Sequence, residues 1–199
     1  MNRYINIKKK ELKFIHITKN AGTSIENSAI KHHIYWGRFH KEYGYWHIPF
    51  IKIDKSIRDK YDWFVVVRNP YTRILSEYYC KWGGVGMFYM SVEYMNTYLI
   101  RKIKNIKEEV NKCHYVEQYK YIDDTSKIYI IHFENLENEF NDLMKKYKLE
   151  YIKLEKSNTK PFDAPYKVSD FSNELINLIN EVYDKDFKLF GYEKINTET

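Results

Sequence analysis

Residues 14–26, FIHITKNAGTSIE, place a lysine, a glycine and two hydroxyl side chains between an apolar run and a helix-like run. A helix N-terminus offers N–H groups with no intrahelical acceptor, at the positive end of the helix dipole. Lys19 adds a point charge there. Gly22 lets a bound anion approach the backbone, and Thr23 and Ser24 add hydroxyl donors. The pattern is a phosphate-type cradle. It is not a Walker A loop, because GxxxxGK[ST] is absent and the lysine precedes the glycine. Taken alone, the string is better read as an ordinary strand–helix turn with a Ser/Thr cap.

A second group lies in residues 65–79, VVVRNPYTRILSEYY. Arg68 stands where a strongly apolar strand ends, and ligands of open α/β sheets bind beyond the carboxyl ends of strands. A guanidinium suits bidentate phosphate binding, and Ser76, a short way into the following helix, offers a hydroxyl partner. Arg73 either assists or lies at the surface. The competing reading pairs Arg68 with a carboxylate as a structural bridge.

These groups need elements to position them. Residues 13–18 and 63–68 read as strands, the latter apolar enough to be buried on both faces. Residues 127–133 read as a third strand and 151–154 as a short fourth. Helical spacing predicts helices over 23–31, 71–79, 135–147 and 169–183, with a mostly helical middle over 91–121. Thr23 or Ser24 serves near the first helix start, and Glu26 lies in its first turn. Residues 34–50 and 158–166 read as loops, the first rich in aromatics. Strands alternating with helices predict an α/β fold: a mostly parallel central sheet flanked by helices.

Composition narrows the partners. The 199 residues fit one domain, taken here as 1–199. Mean hydropathy is −0.65, and no apolar run approaches the roughly 20 residues of a membrane helix. The chain is expected to be soluble and cytoplasmic, without integral membrane contact. The charge of +6 fits an anionic ligand, yet lysine is spread along the chain as solvated charge. No like-charge block or nucleic-acid motif is present, so no nucleic-acid partner is expected. Cys80 and Cys113 lack CxxC spacing and read as core filler. With no HExxH, EF-hand or clustered Asp, no metal is expected.

The pair FIHITKNAGTSI and VVVRNPYTRILSEYY resembles the two cofactor signatures of the carbohydrate sulfotransferase superfamily, nearest the family-2-like branch whose first motif reads FIHIPKTAGTS. CHYVEQYKYI (113–122), IIHFENLENEF (131–140) and YDKDFKLFGY (183–192) extend the resemblance along most of the chain. Two departures are visible: Thr18 replaces the usual Pro, and Asn20 the usual Thr or Cys. The resemblance implies a P-loop-kinase-like α/β fold and the donor 3′-phosphoadenosine 5′-phosphosulfate (PAPS). It implies 5′-phosphosulfate binding by Lys19, Ala21, Gly22, Thr23 and Ser24, and 3′-phosphate binding by Arg68 and Ser76. Lys19 would also stabilise charge on the leaving phosphate during in-line displacement.

Transfer to a hydroxyl needs a proton acceptor, and a histidine near its ordinary pKa suits that task. The resemblance favours His47, in the WHIP segment between the two motifs, and His114 is the best rival. His16 reads as packing on the first strand. The aromatics near 36–46 and 78–82 split between core packing and a sugar-stacking cleft, so the acceptor is expected to be a glycan or another hydroxyl compound. The alternatives are an ATP-dependent P-loop-like kinase and a non-catalytic nucleotide- or glycan-binding module.

Overall fold

The computed structural model describes residues 10–36, 47–86, 90–106, 113–122, 127–149, 151–155 and 165–197. Three strands form one parallel sheet with β2 in the centre: β1 (Leu12–Ile15), β2 (Asp62–Val67) and β3 (Ile128–His132). Side chains alternate across it. Phe14, Phe64, Val66 and Ile131 pack with Ile25, Ala29, Phe140 and Met144 on one face. Ile15, Trp63, Val65 and Val67 pack with Phe50, Tyr121 and Phe190 on the other. Both faces of β2 are apolar because both are covered, as parallel sheets require.

Helix α1 (Gly22–Ile30) follows β1. A 3-10 turn (Phe50–Lys52) and α2 (Lys55–Lys60) lead to β2, and α3 (Pro70–Tyr78) leaves it. Asn69 caps α3 by accepting from the Tyr71 N–H at 3.0 Å, and Pro70 takes the first helical position, where no N–H is needed. Helices α4 (Val92–Lys104), α5 (Leu136–Lys146), α6 (Asn173–Val182) and α7 (Asp184–Phe190) complete the set. The two strand–helix units therefore aim both motif loops at the carboxyl edge of the sheet.

Several expectations change. Residues 151–155 form no strand; Glu155 N–H donates to Ser28 Oγ at 3.0 Å, so this segment runs beside α1. The helical middle is α4 alone among the described residues, with 113–117 irregular and a 3-10 turn over Gln118–Tyr121. Strand β1 ends at Ile15, because Thr18 is drawn away towards α3: its carbonyl accepts from Arg73 Nε at 3.1 Å. Residue Ala21, not Thr23 or Ser24, sits at the N-cap of α1. Glu26 lies beyond the first turn and is buried, with Oε1 3.3 Å from His16 Nδ1. The aromatic loop from 37 to 46, including His40, and the loop from 156 to 164 lie outside the described residues. Among the described residues no helix is long and apolar enough to cross a membrane.

Candidate active site

The first loop is held in an unusual backbone. Lys19 and Ala21 have φ of 62° and 60°, in the left-handed region that non-glycine residues seldom occupy. Such residues cost on the order of 1–3 kcal/mol each, so the surroundings must enforce them. They do so through Asn20 between them: its amide donates to the Val66 carbonyl at 2.8 Å and to Gln118 Oε1 at 2.7 Å. Gln118 is fixed in turn, its backbone N–H donating to buried Asp186 at 2.8 Å. The substitution at position 20 is thus a structural anchor. Ala21 has no side-chain oxygen, so the leading N–H groups of α1 receive no cap from it.

Gly22 has a second reason to be glycine. A Cβ there would lie 2.1 Å from the His16 ring, which occupies that space. His16 does pack, as its place at the end of β1 predicts, but against the cradle itself. Its ring meets His47 edge-on, with centroids 4.5 Å apart.

Arg68 leaves β2 and points at the same loop. Its Nη1 donates to the Lys19 carbonyl at 3.1 Å and its Nε to Thr72 Oγ1 at 3.0 Å. The guanidinium lies 4.0 Å from the Phe133 ring centroid. Burial lowers its pKa to about 10, so it remains a cation at neutral pH. Among the described residues no carboxylate forms an ion pair with it, although the nearby Glu134 carboxylate acts on it through its charge. Thr72 and Ser76 are four residues apart on α3 and share its Arg68 face. Lys19 Nζ likewise has no hydrogen bond or ion pair among the described residues.

His47 also has a positive φ, 57°. Its Nδ1 lies 2.8 Å from the His16 carbonyl, which can only accept. The proton therefore sits on Nδ1, and Nε2 carries the lone pair. Burial first, then the neighbouring His16, pull its pKa down to about 4. The ordinary histidine pKa expected from sequence is not kept.

Sequence reasoning missed the role of a buried network beside Lys19. Arg73 is fully buried rather than at the surface, and Glu77 joins it. Glu77 accepts from Thr18 Oγ1 and from His114 Nδ1, both at 2.6 Å, with Arg73 Nη2 3.7 Å away. Burial alone would raise the Glu77 carboxyl, but the His114 hydrogen bond, the Arg73 charge and the Thr18 hydroxyl hold it below the usual carboxylate range. Cys80 brings a third metal-type ligand within 4.8 Å of Glu77 and His114. A cation there would have to displace the His114 proton and sit beside Arg73. The signal for the network was the Glu at the helical i+4 position from Arg73, with Thr where Pro is usual.

Of the aromatics, Trp36, Tyr78 and Tyr79 are core, whereas Trp82 is 70% exposed.

A parallel α/β sheet with a strained strand–helix loop and an arginine without an ion pair among the described residues at its carboxyl edge makes a candidate anion site. The family model for the sulfotransferase family matches residues 2–157, about three quarters of the chain. The protein belongs to that family, in its family-2-like branch. No curated protein and no solved structure gives a significant match.

Proposed function

We propose that the protein transfers the sulfuryl group of PAPS to an acceptor hydroxyl, of a glycan in the first instance. The observation that carries this is the pairing of two cations that form no ion pair among the described residues, Lys19 and Arg68, across one strained loop. Anions fit the uncapped start of α1, where Gly22, Thr23 and Ser24 present backbone N–H groups and hydroxyls. In this reading Lys19, Ala21, Gly22, Thr23 and Ser24 hold the 5′-phosphosulfate, and Arg68 with Ser76 holds the 3′-phosphate. PAPS supplies an activated sulfuryl group on a leaving phosphate. Lys19 neutralises charge developing on that phosphate. His47 takes the acceptor's proton at Nε2, since Nδ1–H is committed to the His16 carbonyl. The positive charge comes from Lys19, Arg68 and backbone N–H groups, so the reading calls for no metal. Exposed Trp82 offers a ring face for a sugar.

The test is ligand-dependent melting. Adenosine 3′,5′-bisphosphate should raise Tm by mass action, and AMP should do so far less. Arg68→Ala should abolish the difference between the two. Equal shifts from AMP and the bisphosphate, or a shift only with ATP and magnesium, would overturn the assignment. Labelled PAPS offered to a panel of saccharides and phenols then reads out the acceptor by mass.

A further inference from the structure

Glu26 is a carboxylate buried on α1, just beyond the turn whose N–H groups would receive an anion. Sulfuryl transfer itself has no use for it. Alone, its charge would be costly to bury and would repel the anion. It is not alone: His16 Nδ1 lies 3.3 Å from Glu26 Oε1, and the two side chains are 11% and 3% exposed.

The His16 ring is fixed between the cradle and the proposed base. Phe14 of β1 stacks on it, with centroids 5.6 Å apart. Gly22, the first residue of α1, lies against its Nε2–Cδ2 edge, where a built Cβ would be 2.1 Å from both atoms. An ionised carboxylate cannot donate, so the nitrogen beside Glu26 carries a proton. Nε2 is then the ring nitrogen left at the cradle. Titratable groups reach the ring from two elements, Glu26 from α1 and His47 from the segment before β2, and Lys19 follows in the same loop. The rings of His16 and His47 are 4.5 Å apart, and His16 is the second cause, after burial, of the lowered His47 pKa. Two imidazolium ions this close repel, so a charge on one keeps the other neutral. Glu26 touches His16, which places the charge there.

We propose that His16 is an anion-binding residue of the cradle: an imidazolium held by Glu26, whose Nε2–H donates to the 5′-phosphate end of the donor. This deepens the sulfuryl-transfer reading and rests on it. The Glu26–His16 pair is neutral as a whole, so the buried carboxylate does not oppose the incoming anion. The pair also turns a charge-assisted donor towards it. Gly22 is what lets the ring stand there, since a side chain at that position would displace it. Lys19 gains a second cation at the 5′ end, while Arg68 serves the 3′ end.

The experiment compares three nucleotides by calorimetry: AMP, adenosine 3′-monophosphate and adenosine 3′,5′-bisphosphate. His16→Gln should raise the Kd of AMP and of the bisphosphate by the same factor, about tenfold or more, the scale of a hydrogen bond to a charged group. The Kd of the 3′-monophosphate should stay within about twofold. A ring that only packs would move all three alike or none. Should His16→Gln not fold, Glu26→Gln keeps the ring in place, removes the charge behind it and should weaken the same two ligands. Side-chain ¹⁵N NMR at neutral pH should show protons on both His16 ring nitrogens in the native protein, and on one only in Glu26→Gln. A neutral His16 in the native protein, or a folded His16→Gln that binds AMP and the bisphosphate as the native protein does, would overturn the proposal. Failure of the sulfuryl-transfer reading looks different: the native protein then binds none of the three nucleotides and transfers nothing from PAPS.

Discussion

The two ends of β2 hold charge in different ways. At the amino end, a cavity of about 680 Å³ is lined by Lys10, Lys55, Arg58, Lys127 and Lys146, with Asp59 and Asp62 among them. Its charges are largely at the surface: Lys55 pairs with Asp59 at 2.7 Å, and the two side chains are 80% and 59% exposed. At the carboxyl end the backbone and the charges are held under more constraint. Among the described residues, four of the six non-glycine residues with positive φ stand there, Lys19, Ala21, His47 and Tyr115. Arg68 lies there without an ion pair among the described residues, and Arg73, Glu77 and His114 are buried. A surface lysine costs almost nothing to keep, whereas a left-handed lysine and a buried Arg–Glu pair have to be held by their surroundings.

Arg73→Ala should break this contrast most severely. It would leave Glu77 buried without its cation and remove donors to the Thr18 and Val116 carbonyls. Losing one partner of a buried pair costs about 3–5 kcal/mol, so the variant should unfold at much lower denaturant than the native protein. Urea titration checks it, and a shift of only a few tenths of a kcal/mol would mean that Arg73 is not clamped as described.

Lys19→Ala should separate chemistry from stability. With no partner for Nζ among the described residues, the fold should be unchanged. Turnover should fall about 10²–10³-fold, the scale for removing one preorganised charge-stabilising donor. Single-turnover assays with labelled PAPS check it. A loss of stability matching the loss of turnover would move Lys19 from chemistry to scaffold.

Much of this contrast was legible beforehand. The apolar run at 63–68 reads as a strand buried on both faces, and the Asn-Pro after it as the break that ends it. The cradle string and Arg68 identified the carboxyl end. The tertiary pairings were not legible. Nothing local says that Asn20 reaches Gln118, 98 positions on, or that Asp186 of α7 holds Gln118 in place. Helix α7 itself was missed, because Asp-Lys-Asp looks solvated while Asp186, Phe187 and Phe190 are buried. Ile152 shows the converse: residues 151–154 have strand-like composition, but their partner is α1, and among the described residues the sheet has three strands.

A smaller effect tests the electrostatics of the cradle. His47 has a folded pKa near 4, below the ordinary 6.5, so the unfolded chain binds this proton more readily than the native one. Its contribution to stability is therefore fully present above about pH 6.5 and is lost as pH falls towards 4. His47→Gln, which cannot titrate, should lose less stability than the native protein between pH 6.5 and 4. Parallel melting curves at several pH values check it, and identical slopes would mean that His47 keeps an ordinary environment.

The smallest expected effect lies at the other end of β2. Lys55→Ala removes an exposed cation from an i,i+4 pair with Asp59 on α2. Such pairs contribute about 0.3–0.5 kcal/mol and are screened by salt. The variant should melt within a degree or two of the native protein, and the gap should shrink as salt is raised. Turnover and the Tm shift with adenosine 3′,5′-bisphosphate should be unchanged, because Lys19, Arg68 and His47 are not among the residues that line the amino-end cavity. Lys127→Ala extends the test across the same cavity. If either variant weakened bisphosphate binding as strongly as Arg68→Ala does, the nucleotide would belong in the amino-end cavity, and the strained loop at the carboxyl end would need another ligand.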